Sequence, residues 1–229
     1  MVYVKWIGHS CFLIKSTYGN ILIDPFIKQN PKAKYEQSDL EDIDIILVTH
    51  AHFDHLGDTI ELAQNTDIKV ISVFEIAKYL EKFGIKTTGL NFGGRTVHNN
   101  IEIYLFPAVH TSSITDENDN ILWLGNPGSF VIKVDDRIIY HAGDTMVFED
   151  MKLIPRIVGN IDLALLPIGG HYTMDINQAL IAIEYLKPKN VIPMHYNTFY
   201  NIETKPEVLK EKAKNTNVII LNPGDSIEI

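Results

Sequence analysis

The chain is poor in the features that would place it outside a reducing compartment or inside a membrane. It has a single cysteine, Cys11, in 229 residues, so no internal disulfide can brace it. The opening Met-Val-Tyr-Val-Lys-Trp-Ile-Gly-His has no signal-peptide pattern. No apolar run approaches the roughly 20 residues that a membrane helix needs. Basic residues are outnumbered, 20 against 29 acidic, for a formal net charge of −9. That balance disfavours a nucleic-acid backbone as the main partner, although a local basic channel could still exist. There is no short-period repeat, no low-complexity segment and no linker. What is present is ordinary for a soluble globular protein: 45% hydrophobic and 21% charged residues. The expectation is a single domain over residues 1–229 with one substantial core. It is expected in the cytoplasm, with a small molecule rather than a nucleic acid or a membrane as its partner. Homo-oligomerisation stays open.

The chain is organised around Ile43–Asp58. Its first half is an apolar run rich in β-branched residues and reads as a strand buried on both faces. Its second half puts His50, His52, Asp54 and His55 within six residues, followed by Gly57. Neutral imidazoles with a carboxylate are a ligand set for Zn²⁺ or a similar first-row ion. Residues 50 and 52 point the same way if the chain stays extended, while 54 and 55 diverge as it turns into a helix. That arrangement serves two adjacent metal positions better than one.

Around this stretch the pattern predicts short strands at Val2–Ile7, Cys11–Ile14 and Ile21–Ile23, with His9 and Asp24 at strand ends. A polar loop is expected over Lys28–Asp42. A short helix over Asp58–Gln64, a buried strand at Lys69–Val73 and a helix over Phe74–Phe83 follow. Asn91–Val97 and Ile101–Phe106 flank His98-Asn99-Asn100, a hairpin turn that leaves His98 on the surface. The strand ending at Val109 delivers His110, and Thr115–Asn120 reads as an exposed loop. Ser129–Val134 and Arg137–Tyr140 form a second hairpin, whose exit delivers Asp144. Ile161–Ile168 runs into Gly169-Gly170-His171. A helix capped by Thr173 or Asp175 runs to about Leu186. Val191–Met194 delivers His195, and a helix over Thr204–Lys214 and strands at Val218–Leu221 and Ser226–Ile229 close the chain. His50, His110, Asp144 and His195 thus each follow a predicted strand, where rigid scaffolding meets loop chemistry.

Thr49-His-Ala-His-Phe-Asp-His-Leu-Gly-Asp58 resembles the His-x-His-x-Asp-His motif of the metallo-β-lactamase superfamily. The resemblance covers nearly the whole chain. It extends to Trp6-Ile-Gly-His-Ser-Cys-Phe-Leu13, Ile23-Asp-Pro-Phe26 and Ile168-Gly-Gly-His-Tyr-Thr-Met174, which recur among small metal-dependent hydrolases similar to ascorbate-6-phosphate lactonase and N-acyl-phosphatidylethanolamine phospholipase D. It implies an α/β fold, a four-layer αββα sandwich with halves of similar shape, and a metal-dependent hydrolytic centre. Carried over by position, His50, His52 and His110 would hold one ion, Asp54, His55 and His195 the second, and Asp144 would bridge both. The cofactor is then two divalent metal ions, zinc first, with manganese or iron also accommodated. Two ions roughly 3.5–4 Å apart can share a water and bring its pKa to about 7. The hydroxide attacks a carbonyl carbon or phosphorus, and Asp54 or a nearby histidine handles the proton. His9 and His171 are further catalytic candidates, as proton donor or substrate contact. Asp24 can orient a ligand imidazole. Cys11 reads as a small buried apolar residue.

The leading expectation is hydrolysis of a small ester, lactone or phosphoester metabolite. A phosphodiesterase or RNA-processing nuclease of the same superfamily is the alternative. The net charge and the lack of a basic clamp arm weigh against it. A β-lactamase proper would carry Cys or Ser in place of Asp144. An iron-based oxygen or nitric-oxide reductase would bring a flavin domain for which there is no room. A non-catalytic metal-binding protein would have little use for a ligand set with open positions.

Overall fold

The structure is a computed structural model of the chain and describes residues 1–116 and 118–229; Glu117, within the expected Thr115–Asn120 loop, lies outside the described residues. The first half contributes β1 (Tyr3–Gly8), β2 (Cys11–Ser16), β3 (Gly19–Ile23), β4 (Ile43–Val48), β5 (Lys69–Val73) and β6 (Lys86–Leu90). The second contributes β7 (Arg95–His98), β8 (Ile101–Pro107), a small separate hairpin of β9 (Ser113–Thr115) and β10 (Ile121–Trp123), then β11 (Gly128–Val134), β12 (Arg137–His141), β13 (Leu163–Pro167), β14 (Asn190–Met194) and β15 (Asn217–Val218). The final strand, β16 (Ser226–Glu228), crosses back to pair with β1.

Two seven-stranded sheets result, ordered β16-β1-β2-β3-β4-β5-β6 and β15-β14-β13-β12-β11-β8-β7. In each, four antiparallel strands pass into a parallel stretch, β3 to β6 in one and β12 to β15 in the other. The halves therefore have the same plan, as the resemblance implies. One hydrophobic core takes in residues from both sheets and from the helices on their outer faces. Helices α1 (Phe53–Leu56), α2 (Thr59–Ala63) and α3 (Phe74–Glu81) belong to the first half, and α4 (Ile154–Val158), α5 (Ile176–Leu186) and α6 (Pro206–Lys212) to the second. The expected αββα sandwich is what forms.

The local reasons are legible. β4 buries five of its six residues because parallel strands are covered on both faces. Its one half-buried residue, Asp44, accepts from the Asn20 amide at 2.8 Å. α3 buries Ile76, Ala77 and Leu80 along one stripe. Of the two candidate caps for α5, Asp175 is the one used, accepting from the Gln178 N–H at 2.8 Å. Asn99 and Asn100 turn the β7–β8 hairpin with φ of 47° and 64°, as a two-residue turn with primed geometry requires.

The differences from expectation fall on weakly apolar segments. β6, Lys86-Thr-Thr-Gly-Leu, is polar because it is an edge strand. The expected strand at Asn91–Val97 contracts to Arg95–His98, with the preceding residues turning at Gly93. The unexpected strands β9 and β10 flank the expected Thr115–Asn120 loop and take only Thr115 from it, and a 3-10 turn at Glu149–Leu153 leads into α4. α6 starts at Pro206 rather than Thr204, with the proline in its first turn.

Candidate metal centre

The chemistry-bearing residues collect along one edge of the sandwich. β1, β3, β4, β8, β12 and β14 run in the same sense within their sheets, and their ends lead to His9, Asp24, His50, His110, Asp144 and His195 respectively. The two sheets are stitched together there. The Gly128 N–H donates to the Thr49 carbonyl at 2.9 Å and the His195 N–H to the His9 carbonyl at 3.1 Å. Gly143 lies at the closest approach: a β-carbon there would stand 2.8 Å from the Gly128 carbonyl oxygen and 3.0 Å from the Thr49 β-carbon. Its φ of 60° also favours glycine. Gly57 ends α1 under the same constraint, with φ of 45° and the Pro25 carbonyl 2.4 Å from where a β-carbon would be.

Three non-glycine residues of this edge, His9, Asp24 and His195, have left-handed backbones, with φ of 57°, 44° and 53°. Each such residue costs of the order of 1–3 kcal/mol and persists only where its surroundings hold it. Here the strain turns each side chain inward from a strand end.

Three overlapping groups of donors form, with their atoms in each group within 4.8 Å of one another: His50, His52 and His110; His50, His55 and Asp144; and His9, Asp54, His55 and His195. In the first, His52 Nδ1 is 3.0 Å from His50 Nε2 and 3.3 Å from His110 Nε2. Asp144 reaches all sides: its oxygens are 3.0 Å from His195 Nε2, 3.3 Å from His55 Nε2, 3.6 Å from His110 Nε2 and 3.9 Å from His50 Nε2. Asp54 Oδ2 is 3.0 Å from His9 Nε2 and 3.7 Å from His195 Nε2. All seven expected ligand positions are thus brought together.

Surrounding contacts fix which nitrogen faces inward. Asp24, fully buried, accepts the Thr49 N–H at 2.8 Å and the Thr49 hydroxyl at 2.7 Å, and its Oδ2 is 2.7 Å from His55 Nδ1. In neutral His55 the proton therefore sits on Nδ1, and Nε2 is the atom that offers a lone pair to a cation. His50 Nδ1 donates to the Thr49 hydroxyl oxygen at 3.0 Å, which frees its Nε2 likewise. His55 Nε2 and Asp144 Oδ1 are buried with no hydrogen-bond partner. Unpaired buried polar atoms are costly; two facing each other across 3.3 Å are what a cation would satisfy.

The electrostatics agree. Burial holds His50 well below its ordinary pKa, with His55 adding to the effect. Burial likewise lowers His110 to about 4 against the pull of Asp144. Burial opposes charge on His55 and His195 too, but the neighbouring carboxylates win. His55 is raised well above its ordinary value by Asp144, Asp24 and Asp54, and His195 is raised to about 9 by Asp144. Burial works against ionisation of Asp54, yet His55, His195 and His9 hold it well below the usual carboxylate range. Three buried carboxylates, Asp24, Asp54 and Asp144, thus draw positive charge into the site, as protons in the absence of metal or as cations in its presence.

The remaining candidates divide. His9, lowered to about 4 by burial and then by His195, is neutral near pH 7. It lies between Asp54 on Nε2 and the Thr198 hydroxyl, 2.9 Å from Nδ1. His171 is exposed, packs edge-on against Tyr172 at 4.4 Å, and belongs to none of the three donor groups among the described residues. Cys11 is buried, and burial raises its thiol well above the usual range. His141, three residues before Asp144, is turned away. Its Nδ1 accepts the Gly143 N–H at 3.1 Å and its Nε2 meets the Ser10 carbonyl at 3.0 Å. Thr49 and Thr198, which brace Asp24 and His9, carry no signal in the sequence pattern beyond their place in or near the motifs.

A two-sheet sandwich with a histidine–aspartate cluster at one edge defines a metallo-hydrolase class of fold. Residues 19–196 match the model of the family described as Beta-lactamase superfamily domain. The chain belongs to the metallo-β-lactamase superfamily. It is 46% identical over the full length of both chains to a metal-dependent hydrolase of Pyrococcus abyssi. It is 48% identical, over 99% of both, to one of Nanoarchaeum equitans. Among solved structures it is similar to Igni18, a metallo hydrolase from Ignicoccus hospitalis, with TM-score 0.87 and 37% identity over 99% of this chain and 97% of that one. None of these three names states a substrate.

Proposed function

We propose that this protein is a metal-dependent hydrolase of a small ester, lactone or phosphoester, using two divalent ions, zinc first. The observation that carries the reading is the facing pair of unpartnered buried atoms, His55 Nε2 and Asp144 Oδ1, beside three converging imidazole nitrogens. His50, His52 and His110 would hold one ion, and Asp54, His55 and His195 the other. Asp144, within 3.9 Å of nitrogens from both sets, would serve both. When bound, the ions lower the pKa of water and polarise the scissile carbonyl or phosphoryl group.

The chain's own residues supply the rest. Asp24 fixes the His55 ring and makes its Nε2 more basic. The neutral His9 donates Nε2–H to Asp54 and holds that carboxylate in place, which is a positioning role. Asp54, ionised and next to both His9 and His195, is the group placed to take a proton from the attacking water. His171, on its exposed loop, is available to a substrate rather than to the ions. The test is reversible metal loading. Chelated protein should lose turnover of 4-nitrophenyl esters and bis(4-nitrophenyl) phosphate and regain it with Zn²⁺ or Mn²⁺. Turnover unchanged by chelation, or absent from metal-loaded protein across both substrate types, would refute the reading.

A further inference from the structure

Beside the donor cluster lies a cavity of about 510 Å³, the size of a small-ligand pocket. His52 forms part of its wall, so a group seated there continues directly from the cluster. Gln29, from the polar segment that follows β3, and Ser113, Ile114 and Thr115, from the hairpin strand β9, also line it. The apolar share comes from Phe26, Phe53, Leu56 and Ile114. Phe26 is 2% exposed and meets Phe53 edge-on at 5.7 Å and 88°, which fixes both rings. Phe53 is 61% exposed although it stands between two of the cluster residues, His52 and Asp54. A lone exposed phenyl needs no explanation, but one forming the wall of a cavity with three more apolar side chains does. The hairpin strand that brings Ile114 is anchored next to the metal motif, where the Ala51 N–H donates to Ser112 Oγ at 3.1 Å.

Charge decides what could enter. Among the described residues lining the cavity none is Lys or Arg. The carboxylate in its wall is Asp58, whose Oδ2 accepts the Ile27 and Lys28 N–H groups at 2.9 and 3.0 Å. Lys28 itself pairs with Glu61 on the exposed surface. An anionic substituent would therefore meet apolar side chains, a like charge and only the neutral donors Gln29, Ser113 and Thr115, with no Lys or Arg of the described lining to replace its hydration.

Resting on the hydrolase reading above, we propose that the substrate carries an uncharged alkyl or aryl group beside its scissile bond, received by Phe26, Phe53, Leu56 and Ile114. Substituents ending in phosphate or carboxylate are selected against. This narrows the substrate class without depending on whether carbon or phosphorus is attacked.

Chelating probes test it independently of that chemistry. Acetohydroxamate, hexanohydroxamate and adipic acid monohydroxamate share a metal-binding head; the last two have chains of the same carbon count, one ending in methyl and one in carboxylate. Calorimetric titration of metal-loaded protein should give hexanohydroxamate roughly ten- to a hundredfold tighter than acetohydroxamate, the gain expected from partial burial of four methylenes. Adipic monohydroxamate should bind at least about tenfold more weakly than hexanohydroxamate. Phe53→Ala should shrink the first ratio, and Ile114→Lys should lower the second by about tenfold. Both are ratios on one protein sample, so a loss of folded or loaded fraction leaves them unchanged. Equal affinity for short and long probes, or tighter binding of the carboxylate-ended one, would overturn the proposal while leaving the hydrolase reading standing. Protein that takes up no metal and binds none of the three would bring down both.

Discussion

Asp24→Asn is the perturbation that most sharply separates the orientation of the site from its mere presence. The native carboxylate gives one oxygen to the Thr49 N–H and the other to both the Thr49 hydroxyl and His55 Nδ1, at 2.8, 2.7 and 2.7 Å. An asparagine can keep the first contact through its carbonyl. Its amide then faces two groups that donate in the native arrangement. His55 escapes by moving its proton to Nε2, which removes the lone pair that faces Asp144. Losing a carboxylate that orients a metal-bound imidazole costs about 10–100-fold in metal affinity, or about 1.4–2.7 kcal/mol. The donor–donor mismatch in a fully buried position should cost a further ~1–3 kcal/mol of folding stability. Competition titration with a chromophoric chelator should show the site that uses His55 weakened by that factor and the site built on His50, His52 and His110 weakened less, since Asp24 reaches His50 only through the Thr49 hydroxyl. Urea unfolding of the metal-free protein reports the stability cost separately. Two unperturbed sites in a variant of native stability would refute the role of Asp24 and the tautomer assigned to His55.

Other outcomes follow from the same geometry. Asp144→Asn should lose one ion well before the other in a chelator titration, and unchanged stoichiometry would count against a shared carboxylate. Gly143→Ala should lower stability by roughly 2 kcal/mol or more, since its β-carbon meets the Gly128 carbonyl at 2.8 Å in a left-handed backbone; thermal unfolding checks it. Metal binding should release protons. His195, raised to about 9 mainly by Asp144 against the opposing effect of burial, is protonated at pH 7 without metal, and its proton must leave for Nε2 to coordinate. Apparent affinity therefore rises with pH up to about 9 and falls below it. Calorimetry in two buffers of different ionisation enthalpy should count about one to two protons per chain at pH 7; none released would contradict the assignment.

The parts of the fold and site that the sequence made legible are those written in contiguous residues or in strong periodicity. Lys69–Val73 is found with its bounds unchanged because five largely apolar, β-rich residues leave no other reading. The cluster from His50 to His55 needs only adjacency, and His110, Asp144 and His195 are found by their place after buried strands. What was not legible depends on tertiary contact. β6 is polar because it lies at a sheet edge, and edges have no apolar signature of their own. The three-residue strands of the β9–β10 hairpin are too short for alternation to register. Left-handed backbones at His9, Asp24 and His195 carry only a weak residue-type signal: Asp and His adopt them more often than most residues, but most Asp and His do not. Nor does local pattern separate Asp144, which faces the cluster, from His141, which bonds to Ser10 and Gly143. The apolar cavity wall was equally hidden: Phe53 reads as one more hydrophobic residue in a motif until the fold exposes it beside Phe26.

The most direct measurement for the central claim is metal content by elemental analysis of protein purified without chelator, for the wild type and for the His50→Ala/His52→Ala double variant. Two divalent ions per wild-type chain, with loss of at least one from the double variant, is the predicted result. Equal metal content in both proteins, or none in the wild type after loading with Zn²⁺ or Mn²⁺, would contradict it.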